Sequence, residues 1–151
     1  MEFSGDEIAR LRTSMSRTVR ELDRRSGAQD DLTRTQISVL GFVTNRKRVS
    51  LAQLAELEKI NPTMVSRIVG KLEAAGLVLR VPDEADRRVA HVEVTPAGAK
   101  LWKRNTAARS ELLIDLVTAL PEDQKTALQA AIPALESLAE LTRSGSCVQQ
   151  D

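Results

Sequence analysis

The chain has 151 residues, 42% hydrophobic, 28% charged and only 2% aromatic, with 22 basic and 21 acidic side chains. A lone Cys147 excludes an internal disulfide framework, no apolar run approaches the ~20 residues of a membrane span, and three rings (Phe3, Phe42, Trp102) argue against a stacking-based reader of single strands. Residues 1–10 are polar and mixed in charge, unlike a secretory leader, so the expectation is a cytoplasmic protein of one domain, or of two small modules sharing a core.

Leu and Ala dominate, which favours helix. Over 6–25, Ile8, Leu11, Met15, Val19 and Leu22 recur at steps of three and four and make one apolar stripe. Arg10, Arg12, Arg17, Arg20, Arg24 and Arg25 crowd the same segment, and Ser26-Gly27 ends it. Thr33 and Gln36 then form a capping-box pattern ahead of Ile37, Leu40 and Val43. Residues 45–48 read as a basic turn. Ser50 and Gln53 repeat the capping box and open a short helix ending near Lys59.

Asn61-Pro62 is the clearest helix start, and Gly76 closes the helix predicted over 62–75. Residues 77–81 and 89–94 are short β-type runs around a polar tip at 82–88. Ala90, Val92 and Val94 alternate with His91 and Glu93, which predicts one buried face. Thr95-Pro96 starts a long helix over 97–120, and 121–123 starts a last one, where Pro133 is expected to kink or split the helix. The tail from Ser144 is expected to fray. Four helices, a hairpin and two more helices make a mainly α fold: a winged helix–turn–helix with a small β-hairpin wing and N- and C-terminal dimerisation helices. The expected division is a helical dimerisation region at 1–30 and 97–145, a winged module at 31–96 and a flexible tail at 146–151.

Chemistry concentrates on the helix after Asn61. At 100° per residue, Val65, Ile68, Val69 and Leu72 fall within about 100° of arc. The other side carries Thr63, Ser66, Arg67, Gly70 and Lys71, with Met64 at its edge, and no acidic residue occurs from 62 to 72. A helix facing only water usually mixes charges; one facing phosphate does not. Arg67 can give guanine two parallel hydrogen bonds, and Met64 and the Thr63 methyl can pack on thymine methyls. Gly70 permits close approach to a DNA backbone. Arg87 and Arg88 at the hairpin tip suit a minor groove, with Asp86 holding an arginine by a charge-assisted hydrogen bond. The bland alternatives are a solvated helix face and an ordinary polar turn. Asp83, Glu84 and Asp86 lack the ligand spacing of a calcium loop.

From Ser50 to Leu101, "SLAQLAELEKINPTMVSRIVGKLEAAGLVLRVPDEADRRVAHVEVTPAGAKL", the sequence resembles the MarR family of bacterial transcriptional regulators. The Asp86-Arg87-Arg88 tip and the Val94-Thr95-Pro96-Ala97-Gly98 junction carry the resemblance most specifically, and the flanking helices match in order. The resemblance implies homodimers whose recognition helices enter successive major grooves of a near-palindromic operator on double-stranded DNA while the wings reach flanking minor grooves. By position, Thr63, Met64, Ser66, Arg67 and Lys71 would contact the major groove, and Arg88 would be the wing-tip arginine, oriented by Asp86. It also implies repression as the commonest mode, and release by a small aromatic acid, for which Met15, Arg17, Val19 and Phe42 are the candidate pocket residues. The stripe from Ile8 to Leu22 and the leucine-rich last helix cannot all pack on the winged module, which supports a dimer independently; an intramolecular bundle is the alternative.

No cofactor, metal or membrane is implied. There is no HExxH pattern, no paired cysteines and no phosphate loop. Pairing His91, the only histidine, with Cys147 would join a strand to the far terminus. Peroxide-sensing relatives carry a reactive Cys in the first helix and nearby Tyr partners; this chain has neither, although oxidation would allow a Cys147–Cys147 link between subunits. The expectation is therefore no enzyme. The rival reading is a winged helix whose recognition face docks a protein without DNA.

Overall fold

Side-chain caps set the helical frame. The computed structural model describes residues 2–26 and 31–143. Helix α1 spans Gly5–Ser26, and its acidic first turn and basic last turn suit the helix dipole. Thr33 caps α2, Arg34–Arg46, with both halves of the capping box formed. Ser50 does the same for α3, Leu51–Glu58, which ends at Lys59 in the left-handed region. Asn61 caps α4, Pro62–Ala74, with Pro62 in the first turn; Gly76 at φ +73° turns the chain out. Each cap lies where local sequence placed it.

The hairpin is β2, Val78–Pro82, and β3, Ala90–Val94, antiparallel with Val78 opposite Val94 and Pro82 opposite Ala90. A third strand, β1, Arg48–Ser50, adds to the other side of β3, so the sheet order is β1-β3-β2. Residues 45–48 are thus a turn only in part. Three residues cannot display an alternation, and β1 forms because β3 offers it a free edge, with Val49 set opposite Val92. Pro82 takes the outer end of an edge strand, where its missing N–H costs nothing.

Val39, Leu40, Val43, Val49, Leu54, Val65, Val69, Leu72, Val78 and Val92 form one buried cluster that joins α2, α3, α4 and the sheet. Helix α5, Pro96–Thr118, presses Trp102 onto α2: a Cβ on Gly41 would lie 2.5 Å from the indole. The chain divides into units 1–111 and 112–151, a boundary that falls within α5. In the second unit, α6 runs Glu122–Arg143 without a break. Pro133 therefore does not split it. A proline removes one donor and frees one carbonyl, here that of exposed Gln129, which water can satisfy. Among the described residues, no helix is long and apolar enough to cross a membrane. Cys147 and the tail from Ser144 lie outside the described residues.

Candidate nucleic-acid interface

Helix α4 is oriented by what it buries. Val65, Val69 and Leu72 are fully covered and Ile68 nearly so, which commits the opposite face to the outside. Asn61 Oδ1 accepts from the Met64 N–H at 2.8 Å and fixes the first turn. Thr63, Met64, Arg67 and Lys71 are exposed, and Ser66 and Gly70 are half-covered. Among the described residues no carboxylate pairs with Arg67 or Lys71. Glu73, the first acid of the helix, is occupied: its Oε2 accepts from the Arg80 backbone N–H at 3.0 Å. Behind α4, a hydrogen bond from the Ser38 hydroxyl to Glu58 ties α2 to α3.

The wing tip is ordered by two aspartates. Asp83 Oδ1 accepts from the N–H groups of Ala85 and Asp86, and Oδ2 meets His91 Nε2 at 2.7 Å. The histidine contact, then the two amide bonds, hold the Asp83 carboxyl down at about 2. Its oxygens are therefore committed to the turn, and among the described residues no three His, Cys, Asp or Glu side chains gather as metal ligands. Asp86 Oδ1 accepts from the Arg88 backbone N–H at 3.0 Å, while the Arg88 Nε stands 3.9 Å away. Asp86 thus fixes the arginine's backbone; at that separation its guanidinium is not hydrogen-bonded. Arg87 and Arg88 are both exposed at the tip.

A second feature lies between α1, α2 and α5. A cavity of about 370 Å³ is lined by Val19, Asp23, Arg34, Phe42, Trp102 and Arg109, among others. Asp23 forms ion pairs with Arg109 and, at 3.2 Å, with Arg34; two guanidinium groups thus share one carboxylate. Asn105, on the same face of α5 as Trp102 and Arg109, is 2% exposed, and its side-chain amide makes no hydrogen bond among the described residues.

A sequence model of the MarR family matches residues 32–90. An uncharacterized HTH-type transcriptional regulator of Mycobacterium leprae is 30% identical over 129 residues, covering 83% of this chain and 90% of the relative. The chain belongs to the MarR family. A regulator from Pseudomonas aeruginosa has a similar crystal structure, with a TM-score of 0.77 and 28% identity over 88% of this chain and 94% of that one. A variant of Staphylococcus aureus MepR, solved bound to an oligodeoxyribonucleotide, has a TM-score of 0.67 and 23% identity, and the match covers 91% of this chain and 99% of that one. These matches identify a transcriptional regulator with a winged helix fold, and none of the three is an enzyme.

Within this MarR-family fold, the α4 residues predicted from spacing share one outward face, and the wing residues sit at the hairpin tip. The pocket residues divide. Val19 and Phe42 line the cavity; Met15 and Arg17 are not among its walls. The helix wheel explains this: Asp23 and Ser26 continue the Val19 line toward α2, Met15 lies one turn beyond the opening, and Arg17 points to the far side of α1. Arg34, Trp102 and Arg109 were missed because they come from separate helices, and only packing brings them together. Asp83–His91 was missed too, although hairpin pairing of Val81 with His91 puts Asp83, two residues further along and on the same face, at the diagonal position within reach of the ring.

Proposed function

We propose that this chain is a sequence-specific, double-stranded DNA-binding repressor acting as a homodimer in the cytoplasm. One observation carries the reading: α4 buries its aliphatic side completely while the Arg67 side stands exposed, with no acid from 62 to 72. Thr63, Met64, Ser66, Arg67 and Lys71 enter the major groove, and Arg87 and Arg88 enter the flanking minor groove with Asp86 setting the tip. The oligonucleotide bound to the MepR variant supports a DNA ligand for this fold. Exposed Ile8, Leu11, Met15 and Val19 on α1, and Leu128, Ile132, Leu138 and Leu141 on α6, support a second copy as the cover for these stripes.

Selection of binding sites from random duplexes is expected to return a near-palindrome with half-sites about 34–36 Å apart. Affinity should fall log-linearly with salt, since each phosphate contact releases counterions. A protein that selects no sequence and ignores salt belongs instead to the class of winged helices that dock proteins.

The effector reading uses the cavity. Its walls offer a surplus guanidinium and two flat rings, Phe42 and Trp102, which suit a small aromatic acid. Salicylate titrated into the DNA complex is expected to release DNA and change the fluorescence of Trp102, the single tryptophan. Unchanged DNA affinity at saturating salicylate removes this ligand class.

A further inference from the structure

We infer that Arg80, a wing residue, is a positioning residue for DNA readout: it holds the Ser66 hydroxyl so that Ser66 presents its proton to a base. The inference rests on the reading that the Arg67 face of α4 meets duplex DNA.

Arg80 lies opposite Val92 in the hairpin, so strand alternation turns it to the side of the sheet that packs on the core. It lies past the core's rim, and its guanidinium reaches across to α4. Nη2 donates to the Ser66 carbonyl at 2.7 Å and lies 3.3 Å from Ser66 Oγ. The backbone of Arg80 is held by Glu73, two helical turns beyond Ser66, so the contact is anchored at both ends. Gly70, one turn beyond Ser66, leaves room: a Cβ there would stand 3.7 Å from the same nitrogen, in ordinary contact, and a longer side chain would crowd it.

The hydroxyl's polarity follows. A hydroxyl has one proton to give and lone pairs to receive. Thr18, Thr44, Thr106, Ser110 and Thr126 return that proton to the carbonyl four residues back, as helical Ser and Thr commonly do. Ser66 makes no such bond among the described residues. A guanidinium can only donate, and it stays charged at any ordinary pH. Ser66 Oγ therefore accepts from Arg80, and its own proton is turned away from Arg80, toward the open side of α4. In a major groove that proton seeks N7 or O6 of guanine, N7 of adenine or O4 of thymine, and finds no partner in the amino group of cytosine.

The test uses the full chain, its selected duplex and a set of duplexes with each base pair exchanged in turn. Ser66→Ala is expected to erase a preference of about 3- to 10-fold at one base pair per half-site, the span one hydrogen bond supplies. Arg80→Met is expected to erase the preference at that same pair while preferences elsewhere, including the one set by Arg67, survive. A guanidinium acting only as structure or as charge would weaken all duplexes alike and leave the ratio unmoved. If Arg80→Met does not fold, Arg80→Gln carries the same test: its amide keeps a donor for the Ser66 carbonyl but can also accept, so the ratio should again fall to about one. The inference is overturned if Ser66→Ala alters no base preference, or if folded Arg80→Met or Arg80→Gln keeps the wild-type ratio. Wild type that binds no duplex, or Arg67→Ala that binds as wild type does, brings down the interface reading itself and is a distinct result.

Discussion

Arg67→Ala is expected to weaken binding to the specific operator by about 5- to 150-fold, equivalent to about 1–3 kcal/mol, and to relax base preference at one position of each half-site. Arg67 stands on the open side of α4, 100° of arc from Ser66, and no carboxylate among the described residues competes for its guanidinium. A free, planar, two-pronged donor on a recognition helix is suited to guanine, whose N7 and O6 accept side by side. Most of the loss should be specific. Affinity for unrelated duplex should drop less, and the salt slope should change by no more than about one unit, because one cation contributes at most one phosphate contact. Fluorescence anisotropy on specific and scrambled duplexes at several salt concentrations separates the two terms. An equal loss on both duplexes would make Arg67 a phosphate clamp instead of a base reader. In that case Lys71, one turn further on, would have no distinct role to set against it.

Stability should not move with that change, since Arg67 covers nothing in the core. That separation of function from folding explains how much was legible in the sequence. Caps are local: Thr33 with Gln36, Ser50 with Gln53 and Asn61 before Pro62 each satisfy amides within three residues, so a linear reading finds them. The apolar arc of α4 is also local, because a 3.6-residue period needs only one helix to be seen. The features that escaped all depend on contacts across the fold. Strand β1 exists through its pairing with β3; the ion pairs of Asp23 join α1 to α2 and α5; Arg80 reads as another exposed charge until β2 sets it against α4. Pro133 does not split α6 for the opposite reason: the local rule is right about the lost hydrogen bond, but one lost bond on an exposed face is too small a cost to end a 22-residue helix.

Gly98→Ala is expected to be the most damaging single change to the fold, costing about 3–5 kcal/mol and lowering the melting temperature by roughly 10 °C or more. The junction after the wing looks in the sequence like a cap followed by a proline, and it is more than that. The Thr95 backbone N–H donates to the Leu77 carbonyl at 3.1 Å, and the Thr95 hydroxyl donates to the Gly76 carbonyl at 2.6 Å. That hydroxyl also accepts from the Gly98 N–H at 3.0 Å, capping α5. The first turn of α5 is thereby drawn onto the segment that leads from α4 into β2. A methyl at position 98 would overlap the Leu77 carbonyl oxygen and lie 2.9 Å from its carbon. The obstacle is backbone in a hydrogen-bonded segment, so no rotamer change relieves it, and α5 must lift. Lifting α5 would pull Thr95 off both carbonyls and shift β2 relative to α4, so DNA affinity should fall with stability. Gly70→Ala makes the contrast: its new Cβ meets only the end of Arg80 at an ordinary 3.7 Å, and exchanging Gly for Ala inside a helix favours the fold by about 0.5–1 kcal/mol. Circular dichroism melts of the two variants beside wild type decide the matter. A Gly98→Ala protein that melts as wild type does would mean that α5 is not held against the wing root as described.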